Sequence, residues 1–574
     1  MAEKEDTGLA YFYFDFNDGY KQTLEGLLLS ITLQLASQQQ NRPEEFELFC
    51  DRFRSGQQRP GVKDILNVLL AIVRHFQIVY LIMDALDECC EQEGVLDLIA
   101  DLVQASPSIN VLVTSRDSTD IRIALGNVLT NVVSASLDGI SLDIRTYVRN
   151  SLSRDPKLRA RPNHVKSEIE SALASGAHGM FRWVECQLES LRSCLTPASV
   201  RKTLNSMPKT LEKTYDMILA RINPDYQGQV YMILQWLAFC VRPLRLPEVA
   251  EVLVLKPGTS TLSEQDRLFC DCDVATIGSG LIRISDVNEV RLAHYSVKEY
   301  LMSDQRKSMP SPSFHIAEIP TNCYIAHSCV TYLLLQSQFG SPSPDSFLKL
   351  PLLDYAAAHW HDHARIALRA GDHSEHEIHT KDFVDCTIQL LDESRGLAYL
   401  NWLRMSDPDD WNRRDLSKGE CNVPRSLYYM SFLGLYDMAK KLVDRGDDVN
   451  ARGGQFGSAL QAAAFRNHCD IIRLLLQNGA EVKVQGGLHS TALNAAAVNG
   501  SKAAFRILLE QQGQKEITGS TLVAAAASGA MEIVNMLLDN GEDVNFQGED
   551  PENHTSILAG NAITAASFQG HEHI

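Results

Sequence analysis

The chain carries a short phrase, Ser458-Ala-Leu-Gln-Ala-Ala463, that returns 33 residues later as Thr491-Ala-Leu-Asn-Ala-Ala496. The same interval counted back from Leu460 reaches Leu427, and looser copies follow as Ser520-Thr-Leu-Val-Ala-Ala525 and Asn561-Ala-Ile-Thr-Ala-Ala566. Each phrase opens with a residue suited to cap a helix and continues with small side chains that let helices pack closely. The fixed period predicts a stack of like units, each burying its apolar face against the next.

A second apolar helix is predicted after each phrase. These helices include Ile471–Leu476, Phe505–Leu509 and Ile533–Leu538. A glycine suited to end a helix and begin a short hairpin follows at Gly446, Gly479, Gly513 and Gly541. The combination resembles the ankyrin repeat. The resemblance implies an α-solenoid that binds a protein partner, with the array placed around Leu460, Leu493, Leu522, Gly479 and Gly541. The alternative is a generic array of helical hairpins.

Length, charge and cysteine usage set the broad class of protein. A chain of 574 residues predicts several domains, and its net charge of −19 argues against non-specific binding to nucleic acids or anionic membranes. The longest apolar run, Ile65–Val73, falls well short of the roughly 20 residues that cross a bilayer. The 13 cysteines lack C-x-x-C spacing, so we expect reduced thiols, no zinc site and a cytoplasmic location.

The first 150 residues alternate predicted strands and helices. The strands are Leu9–Phe16, Ile78–Asp84 and Ile109–Arg116, and helices are predicted at Thr23–Ser37, Lys63–Phe76 and Val95–Ala105. The continuous apolar character of Ile78–Asp84 is typical of a strand buried on both faces of a parallel sheet. The pattern therefore predicts a doubly wound α/β sheet.

Charged residues follow two of these strands, where α/β sheets place their chemistry. One strand ends in Asp84-Ala-Leu-Asp-Glu88 and the next in Thr114-Ser-Arg116. Asp84 could hold Mg²⁺, Asp87 and Glu88 could orient an attacking water, and Arg116 could sense a phosphate. The alternative is that Asp84 only ends a strand and Arg116 is a solvated loop charge. Their joint position at two strand tips favours the functional interpretation.

The motifs Phe14-Asp-Phe-Asn-Asp18, Leu81–Cys89 and Val111–Arg116 resemble the NACHT-type NTPase module of fungal NLR-like signalling ATPases, in the nephrocystin-like subgroup. The similarity continues to Leu301 and includes a winged-helix domain with Leu292-Ala-His-Tyr-Ser296. The resemblance implies Mg-ATP or Mg-ADP as the ligand of an intact family member. It also implies that His294 could contact the β-phosphate of ADP; the alternative is a satisfied histidine at a helix start.

The phosphate-binding string G-x-x-x-x-G-K-[ST] occurs nowhere in the sequence. We therefore expect no competent ATP hydrolysis by this chain, because positioning and charge neutralisation carry most of phosphoryl transfer. The last repeat stops at Ile574 before its second helix. The chain is accordingly expected to be truncated at both ends, and no cofactor is assigned with certainty.

The predicted organisation has five parts. These are a partial NTPase domain (1–150), a helical segment (151–206), a winged-helix domain (207–305), a helical linker (306–420) and ankyrin repeats (421–574). His359-Trp-His-Asp-His363 looks like a metal motif, but only His359 and His363 share a helix face and no third ligand is evident, which favours a packing helix. Asp407–Trp411 and Asp415–Glu420 are predicted to form the hinge into the repeats.

The sequence favours an NLR-like signal-transduction protein, in which a nucleotide-switch remnant is coupled to an ankyrin array that binds a protein partner. Two alternatives stay open: a nucleotide-independent ankyrin scaffold, and an ATPase completed in trans by another chain. Self-association is left undecided, whereas no nucleic-acid or membrane partner is expected.

Overall fold

The computed structural model divides the chain into two compact units. The first comprises Met1–Leu253 and Asp266–Ala317, and the second comprises Val254–Gln265 and Glu318–Ile574. The residues that the structure describes are 5–39, 43–53, 60–116, 119–126, 137–278, 280–303, 314–368, 377–393, 397–410, 414–512, 519–547, 560–568 and 574. Within these ranges, no helix has the length and apolar character needed to span a bilayer.

The N-terminal region forms a three-stranded parallel sheet. Strands β1 (Glu5–Tyr13), β2 (Phe76–Asp84) and β3 (Ile109–Val113) lie in that order. Leu9 pairs with Tyr80, and Val79 pairs with Ile109. The three predicted strands are confirmed, although β1 begins before Leu9 and ends at Tyr13, and β3 ends before Thr114.

Helices cover one face of this sheet. They are α1 (Leu24–Ser37), α2 (Glu44–Phe53), α3 (Val62–Val73), α4 (Gln92–Ala105) and α5 (Thr119–Gly126). Together with the inward-facing strand residues they form one apolar core. The outward-facing strand residues are exposed: Leu9, Tyr11, Tyr13, Ile78, Tyr80 and Leu112. The predicted doubly wound sheet is therefore wrong for the described residues, since right-handed crossovers that advance in one direction keep every helix on one side.

Two glutamines of α1 cover the free edge of β1. The Tyr11 N–H donates to Gln34 Oε1 at 3.0 Å, and Gln34 Nε2 donates to the Tyr11 carbonyl at 2.8 Å. Gln38 makes the equivalent pair with Leu9, at 3.0 and 2.6 Å. These amides occupy the place of a neighbouring strand and satisfy groups that an edge strand otherwise leaves open.

A helical segment follows the sheet. Its helices are α6 (Leu137–Arg154), α7 (Pro156–Arg159), α8 (Asn163–Gly176), α9 (Phe181–Arg192) and α10 (Pro197–Asn205). Trp183 is buried in their common core, and its indole N–H donates to the Pro208 carbonyl at 2.9 Å. A Cβ atom at Gly176 would lie 2.8 Å from the Trp183 ring, so this helix contact needs glycine.

The winged-helix region combines helices with a small antiparallel sheet. The helices are α11 (Leu211–Ala220), α12 (Gln227–Phe239), α13 (Leu246–Val252), α14 (Asp273–Ile277) and α15 (Tyr295–Met302). Strands β4 (Leu244–Arg245), β5 (Ile282–Ile284) and β6 (Glu289–Leu292) pair in the order β4-β6-β5. Trp236 of α12 is buried in this region.

A disulfide joins Cys270 to Cys272 just before α14. The expectation that every cysteine is a free thiol is therefore wrong for this pair. The remaining eleven cysteines are free. A search for C-x-x-C spacing passes over these two because a single residue separates them.

The second unit begins with five helices. They are α16 (Glu318–Ser337), α17 (Pro344–Lys349), α18 (Leu353–Ala367), α19 (Glu377–Leu390) and α20 (Ala398–Met405). His363 of α18 is fully buried between the Tyr355 hydroxyl and Asn322 Oδ1, both at 2.7 Å. Burial lowers the pKa of His363 to about 3. The prediction of a packing helix is confirmed.

Paired helices then form the repeats. The pairs are α21 and α22 (Ser426–Leu433, Tyr436–Asp444), α23 and α24 (Ala459–Phe465, Cys469–Gln477), α25 and α26 (Ala492–Val498, Lys502–Gln512), α27 and α28 (Gly519–Ala527, Met531–Asp539), with α29 (Ala562–Phe568) last. Ser458 and Thr491 cap α23 and α25 as predicted, whereas α21 begins without a side-chain cap and Ser520 lies inside α27. Gly446, Gly479 and Gly541 adopt positive φ, while Gly513 lies outside the described residues.

Candidate functional site

The carboxyl edge of the parallel sheet brings together the charged residues predicted from the sequence. Asp84 is the last residue of β2, and Asp87 and Glu88 lie in the single 3₁₀ turn that follows it. Arg116 follows β3, which pairs with β2 in parallel. The carboxyl ends of adjacent parallel strands meet at one edge, so the two predicted clusters become neighbours.

Asp84 is held by the neighbouring strand. Its carboxylate accepts a hydrogen bond from the Thr114 hydroxyl. The next residue, Ala85, has φ of 58°, which is uncommon for a residue with a side chain, and its N–H donates to Thr114 Oγ1 at 3.0 Å. Thr114 thus supports the sharp turn that carries Asp87 and Glu88 away from the sheet.

Arg116 contacts carboxylates on two different elements. Its backbone N–H donates to Asp87 Oδ1 at 2.9 Å, and its Nε lies 3.1 Å from Asp87 Oδ2. Its Nη1 donates to both carboxylate oxygens of Glu299 on α15, at 2.9 and 3.0 Å. The guanidinium also lies 5.0 Å from the centre of the Tyr295 ring. Arg116 is therefore a bridge between the sheet edge and the winged helix.

A second bridge joins the loop after β1 to the winged helix. Arg291 of β6 pairs with Asp15, and the Phe16 and Tyr295 rings meet edge to face with 5.0 Å between their centres. The Gly19 N–H donates to the Val241 carbonyl at 2.8 Å. Sequence reasoning did not select Asp15, Arg291, Tyr295 or Glu299. Asp15 lies inside the motif Phe14–Asp18, and that motif was the sequence signal from which Asp15 could have been selected.

Glu88 supports the β1 loop from within. Its Oε2 accepts the Phe16 N–H at 3.1 Å. Burial raises the pKa of Glu88, and the nearby charges of Asp15 and Asp87 act in the same direction, while the Phe16 hydrogen bond and Arg116 oppose them. These contacts give Glu88 a structural role at the base of the loop.

His294 caps the first turn of α15. Its Nδ1 accepts the Ser296 N–H at 3.1 Å and lies 2.7 Å from Ser296 Oγ, so the neutral ring carries its proton on Nε2. Ser296 Oγ lies 2.8 Å from the Tyr215 hydroxyl, which accepts from Arg182 Nε at 3.4 Å. Burial and the positive charges of Arg182 and Arg116 lower the pKa of His294, against the opposing charges of Glu299 and Glu185. The described contacts are those of a satisfied histidine at a helix start.

A cavity of about 260 Å³ lies between the β1 loop and the winged helix. Its lining includes Phe16, Asn17, Glu88, Arg291, His294 and Tyr295. Asn17 is buried and donates from Nδ2 to Asp15 Oδ1 at 3.0 Å, while its Oδ1 has no hydrogen-bond partner among the described residues. The arginines that line the cavity are already paired, since Arg291 contacts Asp15 and Glu289 and Arg283 contacts Glu185.

The residues of the sheet edge do not fit a Mg-nucleotide in this arrangement. Arg116 is paired with two carboxylates, and one oxygen of the Asp84 carboxylate accepts the Thr114 hydroxyl. Over the ranges that the structure describes, no group of three His, Cys, Asp or Glu side chains is placed to hold a metal ion. The geometry is that of a contact between a sheet module and a winged helix.

The architecture defines a multidomain protein that joins a parallel-sheet module, a winged helix and an ankyrin array. Three family models match these regions one by one. They are "Nephrocystin 3, N-terminal" at residues 1–116, "GPI inositol-deacylase, winged helix domain" at 221–311 and "Ankyrin repeats (3 copies)" at 460–548. The chain thus contains a winged-helix domain and ankyrin repeats, and its first residues are similar to the N-terminal region of nephrocystin 3.

Two curated proteins are similar to about half of the chain. One is the azaphilone pigments biosynthesis cluster protein L of Monascus ruber, 29% identical over 286 residues, which are 46% of this chain and 58% of that protein. The other is the vegetative incompatibility protein HET-E-1 of Podospora anserina, 25% identical over 291 residues, which are 49% of this chain and 20% of that protein. The similarity therefore spans only part of each relative.

Proposed function

We propose that this chain is an NLR-like signal-transduction protein with two working parts. The ankyrin array binds a protein partner, which is the general role of such repeats. The N-terminal module is a remnant of a nucleotide switch that keeps its contact with the winged helix. The likeness to a vegetative incompatibility protein and the three matched regions support this proposal.

The observation that carries the proposal is the double bridge between the sheet edge and the winged helix. Arg116 connects Asp87 to Glu299, and Arg291 connects to Asp15. Residues 116 and 299 are far apart in sequence, so this contact exists only while the two modules are docked. Arg116 and Glu299 are each close to half exposed, so a competing charge from solvent or a partner can reach them. We name this pair of bridges the latch.

Opening the latch is tested with the double variant Glu299→Gln and Arg291→Gln. Hydrogen exchange measured by mass spectrometry is expected to rise in peptides that cover residues 14–20 and 294–302, because both bridges are lost. The matched control is Arg149→Gln, which removes an exposed ion pair with Glu170 at 2.7 Å inside the helical segment. Unchanged exchange at both peptides would show that the bridges do not hold the two modules together.

Nucleotide binding is tested by thermal unfolding with Mg-ADP and Mg-ATP, because a ligand that binds the folded state raises the melting temperature. No shift is expected for the wild-type chain, since Arg116 is already paired with Asp87 and Glu299. A shift that appears only in the latch variant would favour a nucleotide switch that includes Asp84, Arg116 and His294. No shift in either protein at millimolar nucleotide would favour the ankyrin scaffold, which needs no nucleotide.

The scaffold is the second candidate function, and the occupied state of Arg116 favours it. ATPase activity completed in trans makes a separate prediction, namely turnover that grows with the square of protein concentration and is lost in Asp84→Asn. Turnover of that kind would replace the proposed function with an enzymatic one.

A further inference from the structure

Cys270 and Cys272 differ from the other cysteines of the chain. They are exposed and joined to each other, whereas six of the eleven free cysteines are buried. They lie in the turn that leads into α14 of the winged helix. Nothing in the latch or in the ankyrin array uses this pair.

The backbone holds the two cysteines together without help from the sulfur–sulfur bond. The Asp273 N–H donates to the Cys270 carbonyl at 2.9 Å, the Val274 N–H donates to the Asp271 carbonyl at 3.1 Å, and the Ala275 N–H donates to the Cys272 carbonyl at 3.1 Å. The Cα atoms of the pair are 5.2 Å apart, within the usual disulfide range. These turns can therefore persist in the reduced form, with the two thiols still within reach of each other.

The start of this loop is anchored independently. Arg267 Nη1 lies 2.7 Å from Glu251 Oε2, whose side chain is almost fully buried in α13. A buried carboxylate that lost its cation would carry a large desolvation cost, so this ion pair fixes the loop on its N-terminal side. Helix α14 fixes it on the other side. Exchange between the dithiol and the disulfide then changes only the surface turn that lies between Arg267 and α14.

We propose that Cys270-Asp271-Cys272 is a reversible thiol–disulfide exchange site that reacts with low-molecular-weight disulfides of the glutathione type. One cysteine thiolate attacks a sulfur of the small disulfide, which forms a mixed disulfide and releases one thiolate. The second cysteine thiolate attacks the protein sulfur of the mixed disulfide and releases the second thiolate. The protein dithiol loses two electrons, the small disulfide gains them, and the two protons end on the two released thiols.

Exposure and spacing both favour this chemistry. Both cysteines are exposed to a small reactant, and a second thiol two positions along the chain resolves the mixed disulfide faster than a second small thiol can add. Buried thiols resist such reactions, and burial raises the pKa of Cys186 and Cys323 to about 11. The exchange is therefore expected to be selective for this pair over the buried cysteines.

The test uses the full chain in buffers of stepwise glutathione to glutathione-disulfide ratio, followed by acid quench, alkylation and tryptic mass spectrometry. Trypsin releases Leu268–Arg283, which contains both cysteines and no other. Reversible interconversion is expected as the ratio changes, between a doubly alkylated peptide and an unalkylated peptide two hydrogens lighter than the free dithiol. Thiols that stay alkylated at the most oxidising ratio would overturn the proposal. A bond that survives the most reducing ratio would also overturn it, because the disulfide would then be fixed.

Two controls separate this exchange from general thiol oxidation. In Cys272→Ser, the remaining Cys270 is expected to accumulate the mixed disulfide with glutathione, since no neighbour resolves it. Cys421 is a free, exposed cysteine and is the single cysteine of the tryptic peptide Gly419–Arg425. An internal bond is therefore not expected in that peptide. Equal glutathione adducts on wild-type Cys270 and on Cys421 would contradict resolution by Cys272.

Discussion

Asp409 is the carboxylate that joins the loop before the ankyrin array to its first two repeats. The Tyr428 hydroxyl donates to this carboxylate, 2.8 and 2.9 Å from its two oxygens, and the Gln455 N–H donates to Oδ2 at 2.8 Å. The Phe456 N–H donates in turn to the Tyr428 hydroxyl at 3.2 Å. Burial raises the pKa of Asp409 to about 6, and the charge of Asp407 acts in the same direction against these hydrogen bonds.

Because the carboxyl pKa of Asp409 is raised in the folded state, the stability of the folded array depends on pH in a defined direction. In the unfolded chain an Asp titrates near about 3.9, so between about pH 4 and pH 6 the folded state binds the proton more tightly. The stability that this proton contributes is complete below about pH 4 and is lost as the pH rises through about 6. A shift of about 2 pKa units corresponds to about 3 kcal/mol at 1.36 kcal/mol per unit, which is an upper value because Asp409 keeps some contact with solvent.

The perturbation is Asp409→Asn, which removes the titration and keeps a side chain of the same shape. Urea unfolding of the full chain at a series of pH values from about 4 to 7.5 is read by hydrogen exchange in the repeat helices, so that the array is followed separately. The stability of the variant relative to wild type is expected to increase by up to about 3 kcal/mol over this range. Asp410→Asn, at an exposed neighbouring position, is the control. A difference between Asp409→Asn and wild type that does not change with pH would refute a raised pKa.

Three further predictions concern buried polar contacts and the sheet edge. Gln461→Leu removes the donor that Gln461 Nε2 supplies to the Gly486 carbonyl at 2.8 Å, and it leaves the Ser490 carbonyl with the Gly486 N–H alone. This loss should lower the unfolding free energy of the array by about 1–3 kcal/mol in urea titration. An unchanged midpoint would mean that water replaces the amide. Trp183→Phe removes the hydrogen bond to Pro208 and leaves a void beside Gly176. Hydrogen exchange in α8 and α9 should therefore increase, because the unfolding free energy of the helical segment falls by about 2–4 kcal/mol. Hydrogen-exchange protection equal to that of the wild type would show that Trp183 does not stabilise α8 and α9. Gln34→Leu with Gln38→Leu opens the edge of β1 and should increase concentration-dependent association in light scattering. Scattering that matches wild type at every concentration would count against the edge-covering role.

The periodic parts of the fold could be predicted from the sequence. The 33-residue spacing located the repeat helices, and apolar runs located all three parallel strands, because both signals come from neighbours along the chain. The covered and uncovered faces of the sheet could not be predicted in this way. That distinction depends on strand order, which the apolar character of β2 does not encode.

The candidate site was predicted in part. Asp84, Asp87 and Arg116 were selected because they follow strands, and the structure brings them to one edge. The partners that decide what they do, Glu299 and Arg291, were not selected because each is a surface charge on another element. Glu299 and Arg291 can be recognised as partners only once the winged helix is docked against the sheet module.

The sequence by itself determined the ankyrin array, the strands of the parallel sheet and the clustering of charge at the strand ends. These features depend on residues within one helix, one strand or one repeat. The tertiary structure decided that Arg116 bridges to α15 and that Asp409 joins the first two repeats. The bridge from Arg116 to Glu299 spans 183 residues, and burial of Asp409 needs Tyr428 and Gln455 together. Contacts of this kind form only when separate elements pack, because hydrogen bonds and ion pairs need their atoms within about 4 Å of each other.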